Sequence, residues 1–171
     1  MRVALIGHNS IEYIEKLLEI WNNNDSAVLL DYDVPESAVR QMLEQAEVDC
    51  CIIEDSLFSS KGLWSSKVIN YSVTLKMPCI LPKSIREKYI ARYDESEAVV
   101  IYSSGTTGKS KGVSLSHRAI NNNADSIIDY MQPAKDDWLY LNKKLSHCSS
   151  LIGELLVALK SGADILLAPL V

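Results

Sequence analysis

Long apolar segments are missing from this chain. No stretch approaches the roughly 20 apolar residues that a membrane-spanning helix needs, and the residues after Met1 have the pattern of a strand rather than of a signal peptide. Neither sign of charge dominates, since 22 acidic and 17 basic residues give a formal net charge of −5. Such a charge gives no general reason to bind nucleic acid or an acidic membrane surface. We therefore expect a cytoplasmic protein without a membrane span and without a nucleic-acid partner.

Cysteine and histidine are also scarce, and their spacing is not that of a metal site. The cysteines are Cys50, Cys51, Cys79 and Cys148. They form no C-x-x-C pair, and adjacent Cys50 and Cys51 are poor disulfide partners. The histidines are His8, His117 and His147. None stands at ligand spacing from a cysteine, so we expect reduced, mostly buried thiols and no metal site.

Apolar residues occur instead in short runs that alternate with helical patterns. The runs at 3–6, 27–30 and 50–53 predict three strands. Ser10 can cap a helix between the first two, and Pro35 suits the first turn of a helix before the third. This β-α-β-α-β order predicts a parallel sheet with right-handed crossovers. No G-x-G-x-x-G follows the first strand, so a dinucleotide site is not supported there.

The second half of the chain continues the alternation of strands and helices. Residues 68–73 and 138–141 have strand patterns, and residues 84–93 have the composition of a short charged helix. Two longer helical stripes are also present. They are Ile120, Ala124, Ile127, Ile128 and Met131, ended by Pro133, and Leu151, Ile152, Leu155, Leu156 and Leu159, ended by Gly162. We expect His117 to serve helix packing, and Asp31, Asp33 and Asp49 to be solvated or turn carboxylates.

A segment rich in glycine, hydroxyl groups and lysine follows the apolar run at 98–101. From Ser103 to Lys111 the sequence is SSGTTGKSK. Glycines let backbone N–H groups turn toward an anion, hydroxyls add donors, and lysines neutralise charge. The segment therefore predicts a binding loop for the phosphates of a nucleotide triphosphate.

Two kinds of phosphate loop fit this composition. The Walker pattern G-x-x-x-x-G-K-[ST] is matched by Gly108, Lys109 and Ser110, but Ser103 replaces its first glycine. A Walker loop also opens directly into a helix, whereas Val113 and Leu115 alternate with small and polar residues as in a strand. Strand–loop–strand is favoured, and a Walker-type NTPase, with a helix beginning at Lys109 or Ser110, is the alternative.

The segment from Tyr102 to Val113 resembles the phosphate-binding signature of the adenylate-forming enzymes. These are the acyl- and aryl-CoA synthetases, the adenylation domains of nonribosomal peptide synthesis, and the luciferases. Their pattern is an aromatic residue or Thr, then Ser, Ser-Gly-Thr-Thr-Gly, any residue, Pro and Lys-Gly-Val; here only Ser110, in place of proline, departs from it. The resemblance extends over residues 2–167. Leu145, Ser146, His147 and Cys148 resemble the family's fourth core motif, where an aromatic residue or histidine opens a helix beside the acyl pocket.

The resemblance implies ATP-dependent activation of a small carboxylic acid, with Mg²⁺ accompanying ATP. The acyl-adenylate would pass its acyl group to the thiol of CoA or of carrier-protein phosphopantetheine. Thr106, Lys111 and His147 would act in catalysis, with His147 near the substrate carboxylate. Lys109 falls at the family's variable position, where a solvated lysine is expected. The implied nucleotide-binding residues are Ser103, Ser104, Gly105, Thr106, Thr107, Gly108, Lys109 and Lys111.

Later motifs of the family do not occur in this sequence. They are an aromatic-Gly-x-Thr-Glu motif, an aspartate for the ribose hydroxyls, and a lysine on a mobile C-terminal domain. We expect residues 1–171 to be a single α/β domain: the Rossmann-like N-terminal subdomain of an AMP-forming acid–thiol ligase, with three layers, a mostly parallel sheet and helices on both faces. Without the remainder of the enzyme it should be inactive and prone to self-association. A non-catalytic scaffold module that keeps the fold is a further alternative.

Overall fold

The computed structural model describes residues 1–58, 67–74, 78–103 and 110–168. In these ranges the strands are β1 (Arg2–Ile6), β2 (Ser26–Leu30), β3 (Cys50–Glu54), β4 (Lys67–Tyr71), β5 (Cys79–Ile80), β6 (Glu97–Ser103), β7 (Lys111–Ser116), β8 (Trp138–Leu141) and β9 (Asp164–Leu167). The helices are α1 (Ile11–Asn22), α2 (Glu36–Gln45), α3 (Asp55–Phe58), α4 (Lys83–Arg86), α5 (His117–Met131), α6 (Cys148–Ser150) and α7 (Val157–Ser161). A π-helical segment, Leu151–Leu156, joins α6 to α7, and the three together are called the composite helix below.

The central sheet has six strands in the order β4-β3-β1-β2-β6-β7. The first five run parallel. At the edge β7 runs antiparallel to its neighbour β6. The predicted mostly parallel sheet is therefore confirmed, and its single antiparallel pair is the strand–loop–strand unit inferred from the sequence.

Alternate residues of the central strands enter two separate cores, as the two-residue period of a strand requires. On β1, Val3 and Leu5 join a core formed with α1, α5 and the composite helix. Ala4 and Ile6 face the other way, toward a smaller core formed with α2. The central strands are thus buried on both faces, which explains why they are continuous apolar runs rather than alternating ones.

The first two helices begin where the sequence predicts. Ser10 caps α1, because its hydroxyl accepts a hydrogen bond from the Tyr13 backbone N–H at 3.0 Å. Pro35 precedes α2 without a side-chain cap hydrogen bond. His117 opens α5 and is buried, with its ring edge-on to Trp21 at 6.0 Å between centroids. The structure therefore places His117 in helix packing, where burial lowers its pKa.

A second, three-stranded sheet in the order β5-β9-β8 was not predicted as a separate sheet. The predicted charged helix at 84–93 is also wrong in extent, since α4 is a single turn in which only Ile85 is fully buried. The predicted helix before Pro133 does extend to Met131, although the Met131 side chain is exposed.

The thiols are less uniformly buried than the sequence suggests. Cys50 and Cys51 are buried, but Cys79 is half-buried and Cys148 is exposed, so only half of the four thiols match the expected burial. Burial raises the pKa of the Cys51 thiol to about 12. Its thiolate form is therefore disfavoured at neutral pH.

The sequence predicts no membrane-spanning helix. Among the described residues, no helix combines the length and the apolar character needed to cross a membrane.

Candidate functional site

A cleft of about 510 Å³ opens at the carboxyl ends of β2 and β6, facing the start of the composite helix. Its lining is mixed. The apolar residues are Leu29, Leu30, Val34, Met42 and Ile101. The other lining residues, most of them polar, are Asp31, Tyr102, Ser103, Ser110, Ser146, His147, Cys148 and Ser149. Carboxyl ends of parallel strands are the usual location of ligand sites in open α/β sheets.

The predicted phosphate loop is held at its base by the β6–β7 pair. Ser103 pairs with Lys111 across the two antiparallel strands, and Tyr102 pairs with Gly112. The loop residues Ser104, Gly105, Thr106, Thr107, Gly108 and Lys109 lie outside the described residues. Lys111 lies in a strand and α5 begins only at His117. This arrangement does not favour the Walker-type alternative, which requires a helix directly after the loop.

Close packing explains why glycine occupies position 112 in the Lys-Gly-Val segment. A Cβ on Gly112 would lie 3.2 Å from the ring of Tyr102 and 3.2 Å from a methyl group of Val100. The Tyr102 hydroxyl in turn donates a hydrogen bond to the Met42 carbonyl of α2 at 2.6 Å. Gly112 thus lets β7 lie close to a tyrosine that anchors the end of β6 to α2.

His147 lines the same cleft and lies directly before α6. Its backbone N–H donates to the Lys144 carbonyl at 3.0 Å, and its own carbonyl accepts from Leu151 at 3.0 Å. The imidazole is exposed and forms no cap hydrogen bond. The structure therefore brings His147 together with Ser103 and Ser110, the described residues next to the loop, while Lys111 is exposed and is not among the cleft-lining residues.

A charged group that no sequence motif indicates lies at this cleft. Lys144 donates to both carboxylate oxygens of Asp31, at 2.8 and 3.0 Å, and also pairs with Asp33. Burial opposes the charge of Lys144, but these hydrogen bonds outweigh it and raise the pKa of the ammonium group. The prediction of solvated or turn carboxylates was therefore incomplete. Asp31 and Asp33 are ion-paired, and Asp49 accepts a hydrogen bond from the Arg2 backbone at 2.8 Å.

A family model described as AMP-binding enzyme matches residues 1–170. The chain belongs to this AMP-binding enzyme family. Among curated proteins it is similar to the hybrid PKS-NRPS synthetase poxE of Penicillium oxalicum, with 27% identity over 169 residues, 98% of this chain and 4% of that protein. It is also similar to a dimodular nonribosomal peptide synthase of Bacillus subtilis, with 25% identity over 177 residues, 97% of this chain and 7% of that protein. The chain thus spans only a few per cent of these relatives' length.

Solved structures of other proteins share the fold of this AMP-binding chain. ATP-bound MatB from Rhodopseudomonas palustris superposes with a TM-score of 0.75 and 21% identity, covering 96% of this chain and 34% of that one. The inhibitor-bound N-terminal domain of FACL13 from Mycobacterium tuberculosis gives a TM-score of 0.78 and 18% identity, covering 99% and 44%. The family and the fold class expected from the sequence are therefore confirmed.

Proposed function

We propose that this chain supplies the phosphate-binding loop and part of the acyl pocket of an enzyme that activates a carboxylic acid with ATP. Membership of the AMP-binding family supports adenylate formation as the reaction class. The observation that carries the assignment of the site is the shared cleft, which is lined by Ser103 and Ser110 beside the loop and also by His147. Phosphates held by the loop would then face a carboxylate held near His147.

The first chemical step is an exchange of bonds at the α-phosphorus of ATP. An oxygen of the substrate carboxylate forms a bond to this phosphorus, and the bond to the oxygen leading to the β-phosphate breaks. Pyrophosphate leaves with the electron pair, and an acyl-adenylate remains. Hydroxyl and backbone donors of the loop, together with Lys111, would stabilise the charge that develops on the leaving group.

The second step transfers the acyl group to a thiol. A thiolate attacks the acyl carbonyl, and AMP leaves as the carbon–oxygen bond to its phosphate breaks. CoA and a carrier-protein phosphopantetheine both offer such a thiol. Several relatives are named as nonribosomal peptide synthases or hybrid PKS-NRPS synthetases, which supports the carrier protein as the acceptor to test first.

Magnesium would reach this site with its nucleotide. Within the described part of the chain, no three His, Cys, Asp or Glu side chains come together as a metal site requires. Mg²⁺ commonly binds through substrate phosphates and water rather than through an all-protein cage. When bound with ATP, it would screen the charge of the leaving pyrophosphate.

The test of the loop compares Lys111 with a strand lysine outside the cleft, in the complete adenylating enzyme. We expect Lys111→Ala to lower carboxylate-dependent exchange of labelled pyrophosphate into ATP by at least about tenfold, because one charge-assisted contact to a phosphate is lost. Lys67→Ala is the matched control and should change exchange by less than about twofold, since Lys67 is exposed on β4, does not line the cleft, and solvated surface charges contribute little. Fatty, aryl and amino acids would be screened as substrates.

Two results would count against the proposed function. Absence of exchange with every acid class in the unsubstituted enzyme would overturn adenylation itself. Equal loss in the two lysine variants would leave adenylation standing but would overturn the assignment of Lys111. Thr106→Ala provides an independent check, since loss of its hydroxyl should weaken ATP binding and slow the exchange.

A further inference from the structure

His147 is carried by a short turn, residues 143–147, that another part of the chain holds in place. Asn9 follows β1 and is buried, with 2% of its surface exposed. Its side-chain NH₂ group donates to the Lys143 carbonyl at 2.6 Å, and its side-chain oxygen accepts from the Leu145 N–H at 3.0 Å. One amide group thus bonds two backbone groups of the turn, although 136 positions separate Asn9 from Leu145.

Ion pairs of Lys144 also hold this turn in place. The Lys144 ammonium pairs with Asp31 and Asp33, which follow β2, and it also lies 4.5 Å from the centre of the Tyr32 ring. Both side chains of the Lys144–Asp31 pair are largely shielded from solvent, since Lys144 is 21% and Asp31 24% exposed. Such shielding makes the pair stronger and less sensitive to salt than a surface ion pair.

The hydrogen bonds of Asn9 and the ion pairs of Lys144 affect His147 through the backbone of the turn. The Lys144 carbonyl accepts the His147 N–H at 3.0 Å. The Lys143 carbonyl, already bonded to Asn9, also accepts the Ser150 hydroxyl of α6 at 3.0 Å. A shift of the turn would therefore displace both His147 and the start of the composite helix.

We propose that Asn9 and Lys144 are positioning residues that set the location of His147 in the cleft, and through it the binding of the carboxylate substrate. The inference rests on the proposed function, because that function assigns His147 to the carboxylate. It adds that residues following β1 and β2 determine where the acid binds, through the hydrogen bonds of Asn9 to the turn and the ion pair of Asp31 with Lys144. Misplacement of a reacting group by about 1 Å can cost about a hundredfold in rate.

The kinetic test uses pyrophosphate exchange by the complete adenylating enzyme, with ATP and the acid varied separately. Lys144→Met removes the charge and keeps a side chain of similar length. We expect kcat/KM for the acid to fall about tenfold, while KM for ATP changes less than about twofold. Lys144→Arg retains the charge and offers two donors to the Asp31 carboxylate, and should restore most of the loss. Asn9→Asp retains the acceptor for Leu145 but loses the donor to Lys143, and should behave like Lys144→Met.

The matched control is Lys160→Met. Lys160 is 8% exposed and also forms an ion pair, with the more exposed Asp125 at 2.6 Å, and it lies 4.9 Å from the centre of the Tyr93 ring. This pair joins α7 to α5 and does not contact the 143–147 turn. Its loss should lower the midpoint of urea unfolding at least as much as Lys144→Met does, with no selective change in the kinetics of the acid.

A spectroscopic readout separates this inference from the proposed function. In the chain itself, ring signals of His147 and His117 can be followed by ¹H–¹³C NMR. Lys144→Met should move or broaden the His147 signal and leave that of His117, which packs against Trp21, unchanged; Lys160→Met should leave the His147 signal in place. If the His147 signal does not respond to Lys144→Met or Asn9→Asp, the positioning role is overturned. Unchanged acid kinetics in those variants, in an enzyme that does exchange pyrophosphate, overturns it as well.

Discussion

At the scale of single residues, Glu97 links four strands of the central sheet. Its carboxylate accepts hydrogen bonds from Arg2 of β1 at 2.8 Å, from Ser26 of β2 at 2.8 Å, and from Ser114 of β7. The hydrogen bonds from Arg2 are the largest cause that lowers the pKa of Glu97 to about 2. Stability gained from a carboxylate with a lowered pKa is present above its unfolded pKa and is lost as the pH falls toward the folded value.

We therefore predict a pH-dependent effect of Glu97→Gln. At pH 7 the free energy of unfolding should fall by about 1 to 2 kcal/mol, a value that allows for partial screening by solvent. The difference from the unsubstituted chain should shrink as the pH falls from about 4.5 to about 2, because both forms then carry a neutral side chain. Urea unfolding at several pH values measures this. Glu95→Gln is the control, since the Glu95–Arg118 pair is exposed; a constant difference at every pH would contradict the prediction.

The residues of the candidate site divide into those that a sequence pattern can reveal and those that it cannot. The loop residues and His147 belong to contiguous motifs, so the local sequence was enough to identify them as candidate site residues. Their roles stay predictions. Asp31 and Lys144 are 113 positions apart, and Asn9 is as distant from its partners. No local periodicity records a pairing of that separation, because it is created only when β1 and β2 come to lie beside the turn.

At the scale of secondary structure elements, the start of α1 depends on Ser10. Its hydroxyl accepts the Tyr13 N–H in a buried position. We predict that Ser10→Ala lowers the free energy of unfolding by about 1 kcal/mol, through loss of a helix cap. Ser37→Ala is the control, because Ser37 is exposed inside α2 and alanine favours a helix. Chemical denaturation measures both; an equal change in the two variants would argue against the cap.

The elements predicted best were those with a strong apolar pattern, namely strands β1 to β3 and helices α1, α2 and α5. Helices α1 and α2 also have start signals, and the structure contains all six elements near the predicted bounds. The failures have physical reasons. β5 is only two residues long, and its pairing with β9 depends on a distant strand. Residues 84–93 have helix-forming charges but no apolar stripe, and helices this short need tertiary packing to persist.

At the scale of the whole molecule, several apolar side chains stay exposed along two sheet edges. Val113 of β7 is 48% exposed, and Trp138 and Tyr140 of β8 are 56% and 50% exposed. Exposed edges of this kind favour association. The solved structures that share the fold are also longer than this chain, which covers 34% of MatB and 44% of the FACL13 domain.

We predict that residues 1–171 alone give no carboxylate-dependent pyrophosphate exchange, at least about a hundredfold below the complete enzyme. Adenylation requires the acid and the α-phosphate to be held in the correct relative position, and the motifs that the family resemblance assigns to the ribose hydroxyls and to the C-terminal lysine do not occur in residues 1–171. The exchange assay with the isolated chain measures this, and sedimentation at several concentrations measures its self-association. Clear exchange by the isolated chain would mean a smaller active unit than proposed.

The π-helical segment determines the direction in which the later side chains of the composite helix point. A π turn holds one residue more than an α turn, and each α-helical residue advances the helix by about 100°. Side chains beyond Leu156 are thus rotated relative to an unbroken α-helix; Val157 and Ala158 are buried, and the predicted Leu159 is only partly so. His147, directly before the helix, lines the cleft, and Lys160 near its other end forms an ion pair with Asp125. Deleting one residue between them would leave the composition almost unchanged and yet turn one end away from its partners, so this helix should tolerate substitutions far better than a change of length.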